Sequence, residues 1–278
     1  MTLIESLLLA VIHGLSRFIP IAGDAHERIL EQLLGWPTTD LLWKSSFALG
    51  SLLALLVFFI HDWASILSSF IQVIVARKRP MTFDERFPFF LIFFSVLPGG
   101  GYWYLKEQQG IDPENLLPSH SNLILAAGLF AGAILLLIGE RWSKKTRGLF
   151  DIDLMDSTVF GAGQCLAALP GITGSLGMSV MSLLRNYHLE AATKLIALFS
   201  LPMISFEAGR MLSALDWSAR TPFGETTWLQ WALSVLVAGA ATFVSLRVFT
   251  DQIRKSGFGR WVAYRILLGT GLIVLHFL

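Results

Sequence analysis

The sequence has little charge: only 15% of its 278 residues are Asp, Glu, Lys or Arg, against roughly 25% in an average soluble domain. Hydrophobic residues make up 54% of the chain. This composition argues against an ordinary water-soluble fold and is typical of an integral membrane protein. Because the apolar stretches have helical length, we expect an all-α membrane fold.

Three further absences exclude particular structural features and partners. Cys165 is the only cysteine, so no intrachain disulfide can form. The basic residues are not gathered into one patch with interleaved aromatics, so nucleic acid is not an expected partner. The N-terminal apolar stretch has Glu5 where a signal peptide would have Lys or Arg, and no A-x-A pattern follows it. We therefore expect this stretch to remain in the mature protein.

Six apolar runs approach the roughly 20 residues that a helix needs to cross a bilayer of about 30 Å. They are residues 47–60, 87–105, 123–139, 191–206, 228–248 and 261–278. Some are shorter than this length, so the predicted number of spans holds to within one or two.

The charges between these runs predict an orientation. Residues 76–86, 141–147 and 247–260 each contain four Lys or Arg. Residues 106–122 contain Lys106 alone, and residues 209–227 contain two arginines, Arg210 and Arg220. By the positive-inside rule, the first three loops are cytoplasmic and the last two face outwards.

This orientation leaves two apolar regions, residues 1–42 and 158–185, each of which must begin and end on the same side. Pro, Gly and hydroxyl residues interrupt both: GLSRFIPIAG in the first and ALPGITGSLG in the second. We predict two re-entrant hairpins that enter from opposite faces. Each would begin one of two inverted-topology repeats, residues 1–140 and 150–278, followed by about three spans, with a binding site near the midplane.

The first broken region, HGLSRFIPIAGDAH, contains the ionisable residues that most need an explanation. His13 and Arg17 are four residues apart and share a helical face, before Pro20 and Gly23 break the helix. An ionisable residue within a membrane segment is by default a functional candidate. In the structural alternative, Arg17 reaches the outer interface and pairs with Asp24 or Glu27.

The second broken region, LPGITGSLGMS, has Thr173, Ser175 and Ser179 among three glycines, just before an apolar helix. Backbone N–H groups at such a helix start suit a phosphate. The glycines could instead serve only close helix packing. Together, the two regions would present cations and N–H donors inside hydrocarbon, which favours a lipid phosphate as ligand.

Outside these regions, charged residues have simpler expected roles. Asp156 lies at a predicted cytoplasmic end, where contact with solvent or headgroups is expected. Glu207 and Arg210 are three residues apart near an outer end, and we expect them to pair with each other at the interface.

Five ordered stretches resemble the undecaprenyl pyrophosphate phosphatase family, bacterial membrane enzymes that recycle the lipid carrier of cell-wall synthesis. They are HGLSRFIPIAGDAHERILEQLLGW, FALGSLLALLVFF, QCLAALPGITGSLGMSV, EAATKLIALFSLP and RWVAYRILLG. In the family, the first and third read approximately EGLTEFLPISSSGH and QALALIPGTSRSGATI. The resemblance implies inverted repeats, a bacterial inner-membrane location, a site open to the periplasmic side, and frequently a homodimer.

The sequence departs from the family where the chemistry is expected. His13 and Arg17 stand at the positions of the family's two acidic residues, and Gly174 stands at the position of its loop arginine. His26 and Ser175 match the pattern, and Thr173 is a similar residue. Without the acids, no metal site is expected, although the family commonly uses a divalent cation. We therefore expect no cofactor.

The resemblance and the residues together predict the roles of the site. Phosphate binding is assigned to Arg17, Gly171, Gly174, Ser175 and Gly177. Candidate catalytic residues are His26 and His13 as general bases, and Thr173 and Ser175 as nucleophiles or donors.

Three functions remain open. The first is binding or translocation of a polyprenyl phosphate or pyrophosphate without the standard metal- and Glu-dependent hydrolysis. The second is an active phosphatase with a His/Arg/Thr variant of the site. The third is a non-catalytic scaffold in the cell envelope.

Overall fold

A computed structural model describes residues 1–111, 121–215 and 228–277, and Arg220 lies outside these ranges. Within them the chain is helical, and the only β-type pairing is an isolated bridge between Arg147 and Tyr187. The described α-helices are α1 Leu3–Ser16, α2 Gly23–Leu34, α3 Leu41–Phe58, α4 Ile60–Ala76, α5 Phe83–Trp103, α6 Asn122–Trp142, α7 Leu154–Cys165, α8 Gly174–Leu184, α9 Leu189–Ser213, α10 Trp228–Ser256 and α11 Gly259–Phe277.

Five of the described helices are long and apolar enough to cross a bilayer: α3, α5, α6, α9 and α10. The prediction of an all-α membrane protein is confirmed. The sixth predicted span, residues 261–278, corresponds to α11, which has 19 residues but is not among these five. It contains Arg260 and the fully buried Arg265, which lower its apolar character.

Helix α4 is not foreseen by the hydropathy pattern, which predicts one span at residues 47–60 and then a loop at 76–86. In the structure the chain bends at Phe59 and continues as a separate 17-residue helix. The bend has neither Pro nor Gly, so the sequence gives no signal for it. Lys194 of α9 donates to Asp62 of α4 over 2.6 Å and ties the two helices together.

Two helical hairpins lie where the sequence is broken. Helices α1 and α2 have 14 and 12 residues, and α7 and α8 have 12 and 11. All four are shorter than a bilayer crossing requires. Their re-entrant placement in the membrane stays a prediction.

The two predicted halves of the chain are interleaved. Helix α1 packs on α10, and α7 packs on α5; α3 contacts α9, and α6 contacts α11. Small residues allow the backbones to approach: a methyl group at Gly14 would lie 2.6 Å from the carbonyl oxygen of Ala238. Crossed packing of this kind is expected of two inverted repeats, and the inverted symmetry itself stays a prediction.

A buried ionic network holds the far ends of α7 and α8 together. Asp156 is fully buried, contrary to its expected contact with solvent or headgroups. Its carboxylate accepts from Arg147 over 2.8 and 2.6 Å, from Arg185 over 2.5 Å and from the hydroxyl of Tyr187 over 2.6 Å. Burial, and then this hydrogen bond to the carboxylate, raise the pKa of Tyr187. The network therefore closes one end of the second hairpin, away from its turn.

Candidate functional site

The turns of the two hairpins meet at one cavity of about 670 Å³. The first turn contributes Arg17 and Phe18, and the second contributes residues 169–175 except Gly171. Helices α5 and α9 supply further wall, much of it apolar, including Leu97, Met203, Ile204 and Phe206. The fold thus brings together the two regions that the sequence analysis selects, although they are about 150 residues apart.

A buried arginine fixes the two turns relative to each other. Arg265 of α11 is 0% exposed and donates to four backbone carbonyls. The acceptors are Pro20 in the first turn (3.1 Å), Gly171 in the second turn (2.7 Å), and Gly128 and Leu129 in α6 (3.1 and 3.2 Å). A guanidinium suits this arrangement because it presents several donors in a rigid plane. Arg265 is therefore a positioning residue for the cavity.

A second contact between the turns runs from the backbone of Gly171 to the side chain of Asp24. The Gly171 N–H donates to Oδ2 of Asp24 over 3.0 Å. Gly171 has φ of +77°, a conformation that glycine adopts without the strain of a side chain. A methyl group there would also lie 2.6 Å from the carbonyl oxygen of Leu125. The glycine is required by this close approach to α6.

His13 and Arg17 of the first region each face a carboxylate from another helix. Arg17 forms a two-point ion pair with Glu207 of α9: Nη1 donates to Oε1 over 3.3 Å, and Nη2 donates to Oε2. Nδ1 of His13 lies 3.5 Å from Oε1 of Glu27. All four side chains line the cavity. Arg17 therefore has Glu207 as its partner, rather than the Asp24 or Glu27 that its sequence neighbourhood suggests.

The second turn presents hydroxyl groups at the start of α8. Thr173 caps this helix by accepting from the N–H of Leu176 over 3.2 Å, and its hydroxyl lies 3.0 Å from that of Ser175. The side-chain amide of Gln164 fills the space beside Gly174, where a Cβ atom would meet it. The cavity wall here combines two hydroxyls with the N-terminal end of a helix, which favours an anion.

The predicted site residues divide into two groups by position. His13, Arg17, Thr173, Gly174 and Ser175 line the cavity.

The others, His26, Gly171 and Gly177, are not among its lining residues. His26 bonds the carbonyl of Ala22 over 2.8 Å and stacks on Tyr264, whose hydroxyl is 2.6 Å from Nε2. Gly177 packs against the backbone of Gly163 in α7. The chemical roles assigned to all eight residues stay predictions.

Sequence reasoning missed five charged residues of the cavity, which are Asp24, Glu27, Lys44, Glu207 and Arg210. Glu207 carried a signal, because a carboxylate in a membrane helix is itself a functional candidate. Its nearness to Arg210 in the chain suggested a local pair instead. Arg210 also lines the cavity, so both members of that expected pair belong to the site.

The carboxylates of the cavity do not fit a divalent cation as they are placed. Both oxygens of Glu207 accept from Arg17, and Glu27 faces His13. Within the described part of the chain, no three His, Cys, Asp or Glu side chains converge as metal ligands. No chemical step is therefore assigned to a metal ion, and independence from cofactors stays a prediction.

The family model of the bacitracin resistance protein BacA matches residues 6–271 of this chain. The chain belongs to this family. The match includes both hairpins and every helix that lines the cavity, so the resemblance drawn from the five sequence stretches is confirmed. The protein is accordingly a multi-pass membrane protein of a bacterial family.

Curated relatives extend the BacA match over the full length. The undecaprenyl-diphosphatase of Chlorobaculum tepidum is 27% identical over 282 residues, covering 99% of this chain and 97% of the relative. That of Moorella thermoacetica is 27% identical over 278 residues, covering 100% and 99%. Undecaprenyl-diphosphatase 1 of Corynebacterium jeikeium is 28% identical over 281 residues, covering 98% and 97%. These relatives are named for hydrolysis of a polyprenyl diphosphate.

Proposed function

We propose that this BacA-family protein binds the headgroup of a polyprenyl phosphate or pyrophosphate in the cavity between the two hairpin turns. It recognises or translocates the lipid without the metal- and Glu-dependent hydrolysis expected of the family pattern. The observation that carries this proposal is the convergence of Arg17 with the hydroxyl-bearing start of α8 on one cavity. The relatives' names support the choice of lipid.

The cavity offers separate surfaces for the two parts of such a lipid. Arg17 supplies a planar pair of donors that matches phosphate oxygens. The start of α8 adds the hydroxyls of Thr173 and Ser175, which lie 3.0 Å apart. The walls from α5 and α9 are largely apolar and suit the first isoprene units of the chain.

The reason to place hydrolysis second is the chemistry of His13 and Arg17. These basic residues stand where the family pattern has acids, and Glu27 lies beside His13 while Glu207 pairs with Arg17. Cleavage of a pyrophosphate requires both neutralisation of charge on the transferred group and an oriented nucleophile. Arg17 can supply the first, and the usual carboxylate arrangement for the second is replaced.

The second candidate function is hydrolysis by a variant site, and one arrangement favours it. Glu27 lies beside Nδ1 of His13, which could orient the imidazole as a general base. Thr173 and Ser175 supply candidate nucleophiles on the same cavity. The names of the curated relatives also favour hydrolysis.

One experiment separates the candidates. The purified protein in lipid nanodiscs is given undecaprenyl pyrophosphate, and lipid binding and phosphate release are measured with added Mg²⁺ and with EDTA. Arg17→Ala tests the cavity, and Arg79→Ala, in an exposed loop, is the matched control. Binding without release, lost only in Arg17→Ala, is the expected result.

Other results assign the function differently. Release that persists in EDTA and is lost in His13→Ala supports the variant phosphatase. Release that requires the added metal contradicts the first proposal. Native mass spectrometry and binding assays that find no lipid favour a scaffold instead.

The outward-facing orientation and the homodimer also remain proposals, and the only cysteine provides a test of the first. Cys165 is exposed and lines the cavity. If the cavity opens to the outer side, a membrane-impermeant maleimide labels Cys165 in intact spheroplasts, and Cys165→Ser abolishes the signal. Labelling only after the cells are opened contradicts this orientation.

A further inference from the structure

Glu207 occupies the donors on Arg17 that a phosphate would use. The ion pair joins the end of α1 to α9 across the cavity, and neither side chain is fully shielded: Arg17 is 19% and Glu207 is 28% exposed. Glu207 follows Pro202, which interrupts the hydrogen bonding of α9 one turn and a half earlier. The two-point geometry is the one that a guanidinium also forms with phosphate.

The charges lining the cavity cancel before any ligand enters. Counted as formal charges, the cations Arg17, Lys44 and Arg210 balance the anions Asp24, Glu27 and Glu207. A phosphate headgroup would bring this enclosed region to a net negative charge. In surroundings of low polarity such an excess charge is costly, and a carboxylate relieves it by taking up a proton.

We propose that Glu207 is an exchangeable counter-ion: an entering phosphate displaces it from Arg17, and the freed carboxylate takes up one proton. This inference rests on the proposed lipid-phosphate function and adds a coupling between headgroup binding and protonation. The proton adds to a carboxylate oxygen of Glu207, while both Nη donors of Arg17 pass to phosphate oxygens. No bond to phosphorus is made or broken.

The groups around Glu207 are those that could also exchange a proton or bind the entering phosphate. Arg17 at the end of α1, His13 within α1 and Arg210 of α9 itself act electrostatically on its carboxylate. Lys44 of α3 lines the same cavity, and Tyr102 of α5 packs on Phe206, the residue before Glu207.

Of these, His13 is a further side chain that can accept a proton. The test must therefore distinguish a proton on Glu207 from one on His13.

The experiment measures binding of undecaprenyl monophosphate to the full-length protein in nanodiscs by titration calorimetry. It is repeated in buffers of different ionisation enthalpy, which gives the number of protons taken up, and from mildly acidic to mildly alkaline pH. The variants are Glu207→Gln, His13→Gln and, as matched control, Glu190→Gln in the exposed first turn of α9.

The wild-type protein is expected to take up a proton on binding and to lose up to about tenfold in affinity per pH unit as pH rises. Because the headgroup can itself take up a proton, comparison with Glu207→Gln is needed to measure the contribution of Glu207. Glu207→Gln should bind about tenfold more tightly or better at neutral pH, with the extra proton uptake abolished. Glu190→Gln should behave as the wild type.

Several results would overturn the counter-ion role while leaving lipid binding intact. These are equal affinity and proton uptake in Glu207→Gln and wild type, or loss of the uptake in His13→Gln alone. If Glu207→Gln does not fold, the wild-type protein decides: no uptake beyond that of the headgroup refutes the exchange. Failure of the wild type to bind the lipid at any pH overturns the proposed function and this inference together.

Discussion

Replacing Arg265 with methionine tests whether the two hairpin turns depend on a single buried guanidinium. Methionine keeps a long unbranched side chain suited to a helix interior but cannot donate to carbonyls. The four carbonyl acceptors would lose a common donor. Two of them, Gly128 and Leu129, lie within α6 and keep their helical hydrogen bonds. Pro20 and Gly171 lie in turns outside any α-helix.

The expected loss of stability comes mainly from these two turn carbonyls. A buried acceptor left without a partner costs about 1–3 kcal/mol, so two of them cost about 2–6 kcal/mol. Removing the buried charge returns part of this, because its desolvation penalty disappears. We therefore expect Arg265→Met to lower the free energy of unfolding by about 3 kcal/mol.

The measurement is equilibrium unfolding in mixed micelles of mild detergent and dodecyl sulfate, with Arg260→Met as matched control. Arg260 lies on the same helix, is exposed and donates to Gln252 over a long 3.5 Å. Its substitution should change stability by no more than about 0.5 kcal/mol. Maleimide labelling of Cys165, near the second turn, should accelerate only in Arg265→Met.

A role of Arg265 in holding the turns is refuted if Arg265→Met unfolds within about 0.5 kcal/mol of Arg260→Met and Cys165 reacts at the wild-type rate. Arg265→Lys gives an internal check, because an ammonium has three donors and no planar fork. It should lie between the wild type and the methionine variant.

Two further substitutions, at Asp156 and Gly171, test other contacts of the second hairpin by the same unfolding measurement. Asp156→Asn should lower the free energy of unfolding by about 3 kcal/mol, because the buried donors around it would face a neutral amide. The control is the exposed Asp251→Asn, which should change stability by less than about 0.5 kcal/mol. Equal effects of the two substitutions would contradict the anchoring role of Asp156. Gly171→Ala should lower the free energy of unfolding by at least about 1–3 kcal/mol, because alanine is strained in the left-handed backbone conformation of Gly171. The close approach of the added methyl group to Leu125 adds to this loss. The control is Gly271→Ala, where the added methyl group would have no neighbour within 4 Å. A loss of stability as large as that of Gly171→Ala would show that backbone conformation and crowding at Gly171 do not set its effect.

The two hairpins could be predicted because their interruptions are local. Pro20 and Pro170 lie in the two turns, where a missing N–H donor disfavours a continuous helix whatever surrounds them. Gly23, which was expected to permit the first turn, is instead the first residue of α2, and Ala22 has the positive φ of 61°. Helix α4 could not be predicted from turn residues, because the bend at Phe59 has neither Pro nor Gly. Only the packing of α4 against its neighbours, including the bond between Asp62 and Lys194, distinguishes it from an extension of α3.

Ion pairs could not be predicted from residues that are neighbours in the sequence. Spacing on a helix correctly suggested that His13 and Arg17 reach the same region, and both line the cavity. The partner of Arg17 is Glu207, separated by 190 residues, so no local rule could select it. Asp156 likewise seemed suited to solvent from its position near a loop, but Arg147, Arg185 and Tyr187 enclose it.

The sequence by itself determined the membrane class, the two interrupted regions and the family, because composition, backbone breaks and motif order are properties of the chain alone. The tertiary structure decided which groups meet. It placed the two turns on one cavity, joined them through Arg265 and set Glu207 against Arg17. The physical reason is that hydrogen bonds and ion pairs depend on distance in space, which packing between interleaved halves sets and sequence separation does not.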